Sequence, residues 1–139
     1  VFGDIEKSGN GGFSEFVAVK DKSITHIPKG VSFEVAAASS RAGITAMQTL
    51  MKCNIEKGQK VLINGASGGV GSTIIQLAKS FGAHITAVVS TRNVELAKSN
   101  GADDVIDYSK NDIFNKIFYY LLEDNCFENS DYLYLLTLL

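Results

Sequence analysis

Apolar residues fall into two patterns along this chain, and the changes from one to the other mark its elements. Val61-Leu62-Ile63 is a short apolar run, the pattern of a strand buried on both faces of a parallel sheet. After a glycine-rich turn, Val70, Ile74, Leu77, Ala78 and Phe81 recur at helical spacing. Gly82 stands where a helix C-terminus takes a residue with positive φ. His84-Ile-Thr-Ala-Val-Val89 is a second strand, a short helix runs through Val94, Leu96 and Ala97 to Gly101, and Asp104-Val-Ile-Asp107 is a third strand. Strand, glycine turn, helix is the first half of a nucleotide-binding βαβ unit.

On either side the pattern is less regular. Residues 1–28 read as β-structure: Phe13–Val19 partly alternates after the turn residues Gly9–Gly12, and Ile24–Ile27 reads as a short strand closed by Pro28. Ser32 is placed to cap a short helix over Val35–Ser39, and a second helix over Ala42–Lys52 carries Ile44, Met47, Leu50 and Met51. Past Tyr108, an amphipathic helix is expected through Ile113, Phe114, Ile117, Phe118, Leu121 and Leu122. Tyr132–Leu139 is apolar and does not read as a clear fourth strand. His26 and Glu15 read as ordinary surface residues.

The turn carries the chemistry. Ala66-Ser67-Gly68-Gly69-Val70-Gly71 follows the spacing G-x-G-x-x-G with alanine in the first place. Backbone amides at a helix N-terminus favour an anion, so Gly68, Gly69 and Val70 are the expected donors to a pyrophosphate, and Gly71 lets helix and strand approach. A P-loop is nearly excluded, since Gly71-Ser72-Thr73 lacks its lysine. The short-chain dehydrogenase spacing G-x-x-x-G-x-G is also met, by Gly65, Gly69 and Gly71, so the loop alone leaves that reading open. Ligands of open parallel sheets lie outside the carboxyl ends of the strands, which gathers residues 65–71, Ser90–Asn93 and Tyr108 around one crevice.

At the end of the second strand, an NAD site places an acid about 20 residues past the glycines. Here Ser90, Thr91, Arg92 and Asn93 contain none. Ser90 can donate a hydrogen bond, Arg92 can fork onto a phosphate, and Asn93 either adds a contact or caps the next helix. This points to NADP(H).

The totals mainly exclude. The 139 residues suffice for one modest domain, and 45% hydrophobic with 20% charged residues is ordinary for a globular chain. A net charge of −2 offers no basic field for nucleic acid, and no apolar run is long enough to span a bilayer. Cys53 and Cys126 form no metal-ligand spacing, so no metal site is expected. Without a signal peptide, a cytoplasmic location is the default. The chain begins at Val1 in what reads as mid-domain sequence, as a fragment would.

Gly11-Gly-Phe-Ser-Glu-Phe-Val-Ala-Val19, Ala36-Ala-Ala-x-x-x-Ala-Gly-Ile-Thr45-Ala46, Ala66–Gly71, Ser90–Asn93 and Gly101-Ala-Asp-Asp-Val-Ile-Asp-Tyr108, in that order, resemble zinc-independent medium-chain dehydrogenases/reductases of the quinone oxidoreductase type. The resemblance covers roughly residues 1–113. The short-chain type needs Tyr-x-x-x-Lys, and no tyrosine here has a lysine four residues on.

The fold class implied is α/β: a partial Rossmann unit, a doubly wound parallel sheet, preceded by a β-rich remnant of a GroES-like catalytic domain. Residues 1–31 correspond to the end of that catalytic domain, 32–57 to connecting helices, 58–110 to the first half of the NADP-binding domain, and 111–139 to an atypical apolar tail. The resemblance places Thr45 near the nicotinamide and Tyr108 beside the adenosine. It implies NADPH-dependent reduction of a quinone or an α,β-unsaturated carbonyl without zinc, and a homodimer in full-length relatives. No general acid can be named. An NADPH-binding module without turnover and an inactive truncated product are the alternatives. A zinc alcohol dehydrogenase is the weaker reading, since its ligands would have to lie in an absent front half.

Overall fold

The computed structural model describes residues 1–3, 5, 11–110, 112 and 115, and the backbone of 134–137. The chain divides into two compact units, Val1–Thr45 and Ala46–Leu139, with the boundary inside a helix.

In the first unit, β1 (Phe2–Gly3) pairs antiparallel with β2 (Ile24–Thr25). The expected strand over Phe13–Val19 is absent. Phe13 and Phe16 are almost fully exposed, and no described strand pairs with the segment. Alternation alone does not make a strand, because the pattern stabilises a ladder only when a neighbouring edge takes the backbone hydrogen bonds. The β-rich reading of residues 1–31 therefore reduces, among the described residues, to a ladder of two residues on each side.

Helix α1 (Phe33–Cys53) is continuous where two short helices were expected. Ser32 caps it as the sequence indicates: its Oγ accepts the Val35 N–H at 3.3 Å, and its carbonyl accepts the Ala36 N–H at 3.0 Å. Ser39, the last residue of the first expected helix, and Ser40, in the expected break, turn their hydroxyls back onto the carbonyls of Val35 and Ala37 at 2.7 and 3.0 Å. That bonding satisfies the polar side chains without interrupting the helix.

The second unit is built on a parallel sheet. β3 (Lys60–Asn64), β4 (His84–Val89), β5 (Asp104–Asp107) and β6 (Tyr134–Thr137) lie in the order β5-β4-β3-β6. Helices α2 (Gly69–Ser80) and α3 (Val94–Ser99) connect the first three strands. Side chains alternate in direction along a strand. Val61, Ile63, Ile85, Ala87 and Val89 face a core that also holds Ala46 and Leu50 of α1, Ile74, Ile75 and Ala78 of α2, and Ala97 of α3. Leu62, Thr86, Val88 and Ile106 are buried as well, so both faces are covered and the continuous apolar runs are explained.

Both short crossovers end as the glycines indicate. After α2, Gly82 (φ +84) donates to Lys79 O and Ala83 to Ala78 O. After α3, Gly101 (φ +108) and Ala102 repeat the pattern onto Lys98 O and Ala97 O. This double closure needs a left-handed residue at its first position, which glycine adopts without a Cβ clash.

The tail differs from expectation in one respect. β6 pairs parallel with β3 through Val61↔Tyr134 to Asn64↔Thr137, so residues 134–137 form the fourth strand that the apolar run concealed. The helix expected through 113–122 lies outside the described residues.

Candidate functional site

Parallel pairing sets the carboxyl ends of the strands side by side. Asn64 is level with Val88 and with Thr137, and Val89 is level with Asp107. The turn after β3 is tied to β4 by Ala66 N–H to Val88 O at 3.3 Å, and Tyr108 N–H donates to Val89 O at 3.0 Å. The glycine turn, Ser90 and Tyr108 thus leave the same edge of the sheet, as the strand order in the sequence implies.

Each position in the turn has a distinct reason. The left-handed residue is Gly65 (φ +72), one place before the alanine that occupies the motif's first position. Alanine is therefore tolerated at 66, where it is fully buried. Gly65 O accepts the Gly68 N–H at 3.0 Å and closes the turn. Gly71 is buried, and a Cβ there would stand 2.8 Å from Ala66 Cα and closer still to Gly65 O. Its role is the close approach of helix to strand, as expected.

Gly68 is the N-cap of α2 with extended backbone (φ −73, ψ 167) and offers no side-chain bond to the amides that follow it. The first intrahelical bond runs from Ser72 N–H to Gly68 O at 2.8 Å. The N–H groups of Gly69, Val70 and Gly71 therefore have no intrahelical acceptor. Gly68 and Gly69 are exposed, while Ser67 and Val70 are half-buried.

At the end of β4, Thr91–Asn93 is a single 3-10 turn. Asn93 does not cap α3; its Nδ2 donates to Ser90 Oγ at 3.1 Å and its N–H to Ser90 O at 2.9 Å. Thr91 Oγ1 donates to Asp107 Oδ2 at 2.6 Å, so this hydroxyl is already engaged within the fold. Arg92 is exposed, and among the described residues no hydrogen bond or ion pair holds its guanidinium. The hydrogen bond from Thr91 lowers the Asp107 pKa below the ordinary carboxylate value; the Ser109 N–H and the Lys110 charge add to it against a smaller opposing effect of burial. Tyr108 is half exposed. Thr45 is half-buried in α1 and belongs to the first unit.

Two residues at this edge have roles that the sequence reading did not assign them. Gly65 was read only as a member of the alternative glycine spacing, although a glycine directly after a strand is itself a turn signal. Asp107 was read only as the last strand residue. An acid at the carboxyl end of a parallel strand is the signal that would have marked it.

Counted from the glycine strand, the order β5-β4-β3-β6 is 3-2-1-4, with a glycine turn leading into the helix after the first strand. That arrangement defines a dinucleotide-binding unit of the Rossmann type. A family profile described as zinc-binding dehydrogenase matches residues 69–120. A 2-methylene-furan-3-one reductase of Solanum lycopersicum is 43% identical over 118 residues, covering 79% of this chain and 30% of that protein. The quinone oxidoreductase of Escherichia coli, solved with NADPH, superposes with a TM-score of 0.68 at 31% identity, over 73% of this chain and 32% of that one. The quinone oxidoreductase of Thermus thermophilus, solved alone and with NADPH, gives 0.70 at 29% identity, over 80% of this chain and 38% of that one. By sequence and by fold the chain is similar to medium-chain dehydrogenases/reductases of the quinone oxidoreductase type. It spans about a third of the length of the curated relatives it matches.

Among the described residues, no group of three or more His, Cys, Asp or Glu is placed to hold a metal ion. No helix among them is long and apolar enough to cross a membrane.

Proposed function

We propose that this chain carries the cofactor-binding part of an NADPH-dependent reductase that acts on quinones or α,β-unsaturated carbonyls by a zinc-free route. The observation that supports the reading most is the pairing of an uncapped helix N-terminus at Gly68–Gly71 with an acid-free end of β4 carrying Arg92, whose guanidinium has no partner among the described residues. Relatives named as enone or quinone reductases, and neighbours solved with NADPH, support the substrate class and the cofactor.

The residues fit the dinucleotide in two places. Gly68 and Gly69 leave the amides of Gly69, Val70 and Gly71 open to a pyrophosphate, where the helix dipole adds to their attraction. Ser67 borders this turn. Arg92 can fork onto a 2′-phosphate, with Ser90 and Asn93 at hand. Thr45 and Tyr108 are assigned to the nicotinamide and adenosine ends by family likeness alone. When bound, the cofactor supplies a hydride to an electron-poor carbon; the chain's part is to hold it in a fixed orientation. Zinc independence rests on the same likeness, and the homodimer of full-length relatives is proposed on it too.

Titration of the chain with NADPH and NADH tests this. A charge-assisted hydrogen bond contributes about 1.5–3 kcal/mol, so NADPH is expected to bind roughly ten- to a hundredfold more tightly. Arg92→Ala is expected to remove most of that difference and leave NADH affinity nearly unchanged. Equal affinity of the parent for the two cofactors would sink the assignment. Tight binding with no reduction of any quinone or enone would leave a binding module in its place.

A further inference from the structure

One hydroxyl–carboxylate bond joins the end of the second dinucleotide strand to the end of the third. Thr91 Oγ1 donates to Asp107 Oδ2 at 2.6 Å, directly beyond the last register pair of the two strands, Val89↔Asp107. Asp107 is itself fixed: its Oδ1 accepts the Ser109 N–H at 2.9 Å, and the Lys110 ammonium lies 3.9 Å from Oδ2. Asp107 is 8% exposed at an edge where its neighbours Thr91 and Tyr108 are exposed.

Thr91 opens the 3-10 turn, and Asn93 closes it with two bonds to Ser90. Arg92 sits between these anchors. Its backbone is held from both sides, while its guanidinium has no partner among the described residues. A long side chain on a loose loop loses much of its charge-assisted contact to the entropy of ordering. One on a pinned turn keeps it.

We propose that Asp107, acting through Thr91, is a positioning residue that holds the 91–93 turn so that Arg92 meets a 2′-phosphate, and thereby sets the preference for phosphorylated dinucleotides. The inference rests on the cofactor reading above. It reassigns Thr91 from a cofactor contact to a clamp. It also gives the acid at this edge a use compatible with a phosphate: its charge is turned to a hydroxyl, an amide and an ammonium within the fold.

The test uses Thr91→Val, Thr91→Ser and Asp107→Asn in the full chain, with NADPH and NADH titrations and amide hydrogen exchange of Asn93. Thr91→Val keeps the shape and removes the donor. It is expected to lower the NADPH:NADH affinity ratio about three- to tenfold, with NADH affinity held within about twofold, and to speed Asn93 exchange. Thr91→Ser restores the hydroxyl and should recover both the ratio and the protection. Asp107→Asn should behave as Thr91→Val does. An unchanged ratio in Thr91→Val, where Arg92→Ala abolishes it, overturns the positioning role and leaves the cofactor reading standing. Equal weakening of both cofactors means a structural role only and also overturns it. A parent that binds neither cofactor, or an Arg92→Ala variant with the parent's ratio, removes the cofactor reading and the inference with it.

Discussion

Gly71→Ala puts the packing of the glycine turn to a direct test. The added Cβ would lie 2.8 Å from Ala66 Cα and 3.0 Å from the Gly65 carbonyl carbon. Carbon atoms pack best at about 3.5–4.0 Å, so helix and turn must separate by roughly half an ångström or more. The obstructing atoms are backbone and cannot swing away. They are pinned by Ala66 N–H to Val88 O and Gly68 N–H to Gly65 O, at 3.3 and 3.0 Å. Overpacking of this kind costs about 1–3 kcal/mol. Against it stands the preference of a helix for alanine over glycine, up to about 1 kcal/mol in the interior and less in the first turn. The net loss is then about 1–2 kcal/mol, which lowers Tm by roughly 4–16 °C in a unit of this size.

Gly43→Ala is the internal control. Gly43 lies inside α1 and a Cβ there meets nothing within 4 Å. With only the helix preference acting, a gain of about 0.5–1 kcal/mol is expected. The same chemical change should therefore move Tm in opposite directions at the two glycines, followed by circular dichroism on heating. A Gly71→Ala protein as stable as its parent would show that α2 and the turn have room, and the close-approach argument would fail.

Gly68→Ser should separate stability from binding. Its Cβ meets Gly65 O only at an ordinary 3.4 Å, and the extended backbone suits a serine cap, so stability should rise by a few tenths of a kcal/mol. The new hydroxyl would occupy first-turn amides, and NADPH affinity should fall roughly tenfold; a titration showing unchanged or tighter binding would mean that those amides are not the anion site. Acid titration probes the opposite edge of the sheet. There burial raises the Asp103 pKa, but hydrogen bonds from Lys79 and Ile85 N–H, and the charges of His84 and Lys79, outweigh it and bring the value below the ordinary one. A folded-state pKa below the unfolded value makes the contribution complete above about 3.9 and lost as pH falls through the lower folded value. Because Lys79 is well exposed, that contribution should not exceed about 1 kcal/mol. Asp103→Asn should flatten the acid limb of the stability curve, and a limb of unchanged slope would assign acid sensitivity to other carboxylates.

What could be read from sequence follows from how local each cause is. β3, α2, β4, α3 and β5 were all legible, because runs buried on both sides, a helix at 3.6-residue spacing and glycines at two closures depend on residues within one element. The break expected after Ser39, at Ser40–Arg41, was wrong for a reason that is also local but ambiguous: serines either leave a helix or bond back to it, and here Ser39 and Ser40 bond back. Phe13–Val19 failed because a strand is a relation between two segments, and its alternation says nothing about the edge it needs. At the site, the motif's spacing located the amides, but the left-handed residue moved to Gly65, since what the turn requires is a φ and not a letter. The Thr91–Asp107 bond joins residues sixteen apart, and only the register of β4 and β5 brings them together.

The fourth strand changes what the glycine turn means. With β5, β4 and β3 alone, β3 would be the edge of the sheet and the turn after it would open to one side only. Pairing of β6 with β3, at Val61↔Tyr134 through Asn64↔Thr137, makes β3 internal. Chain order now runs away from β3 in both directions: β4 and β5 on one side, β6 on the other. Chain order thus reverses beside β3, and open parallel sheets bind ligands outside the carboxyl ends of the strands at such a point. The apolar stretch that reads least like the rest of the chain is thus the one that turns an edge strand into a switch point, with Gly65–Gly71 at its mouth. Uncapped amides at an ordinary sheet edge would face only water. A helix N-terminus beside a switch point is where such sheets bind their ligands, which is the physical reason to expect a phosphate there.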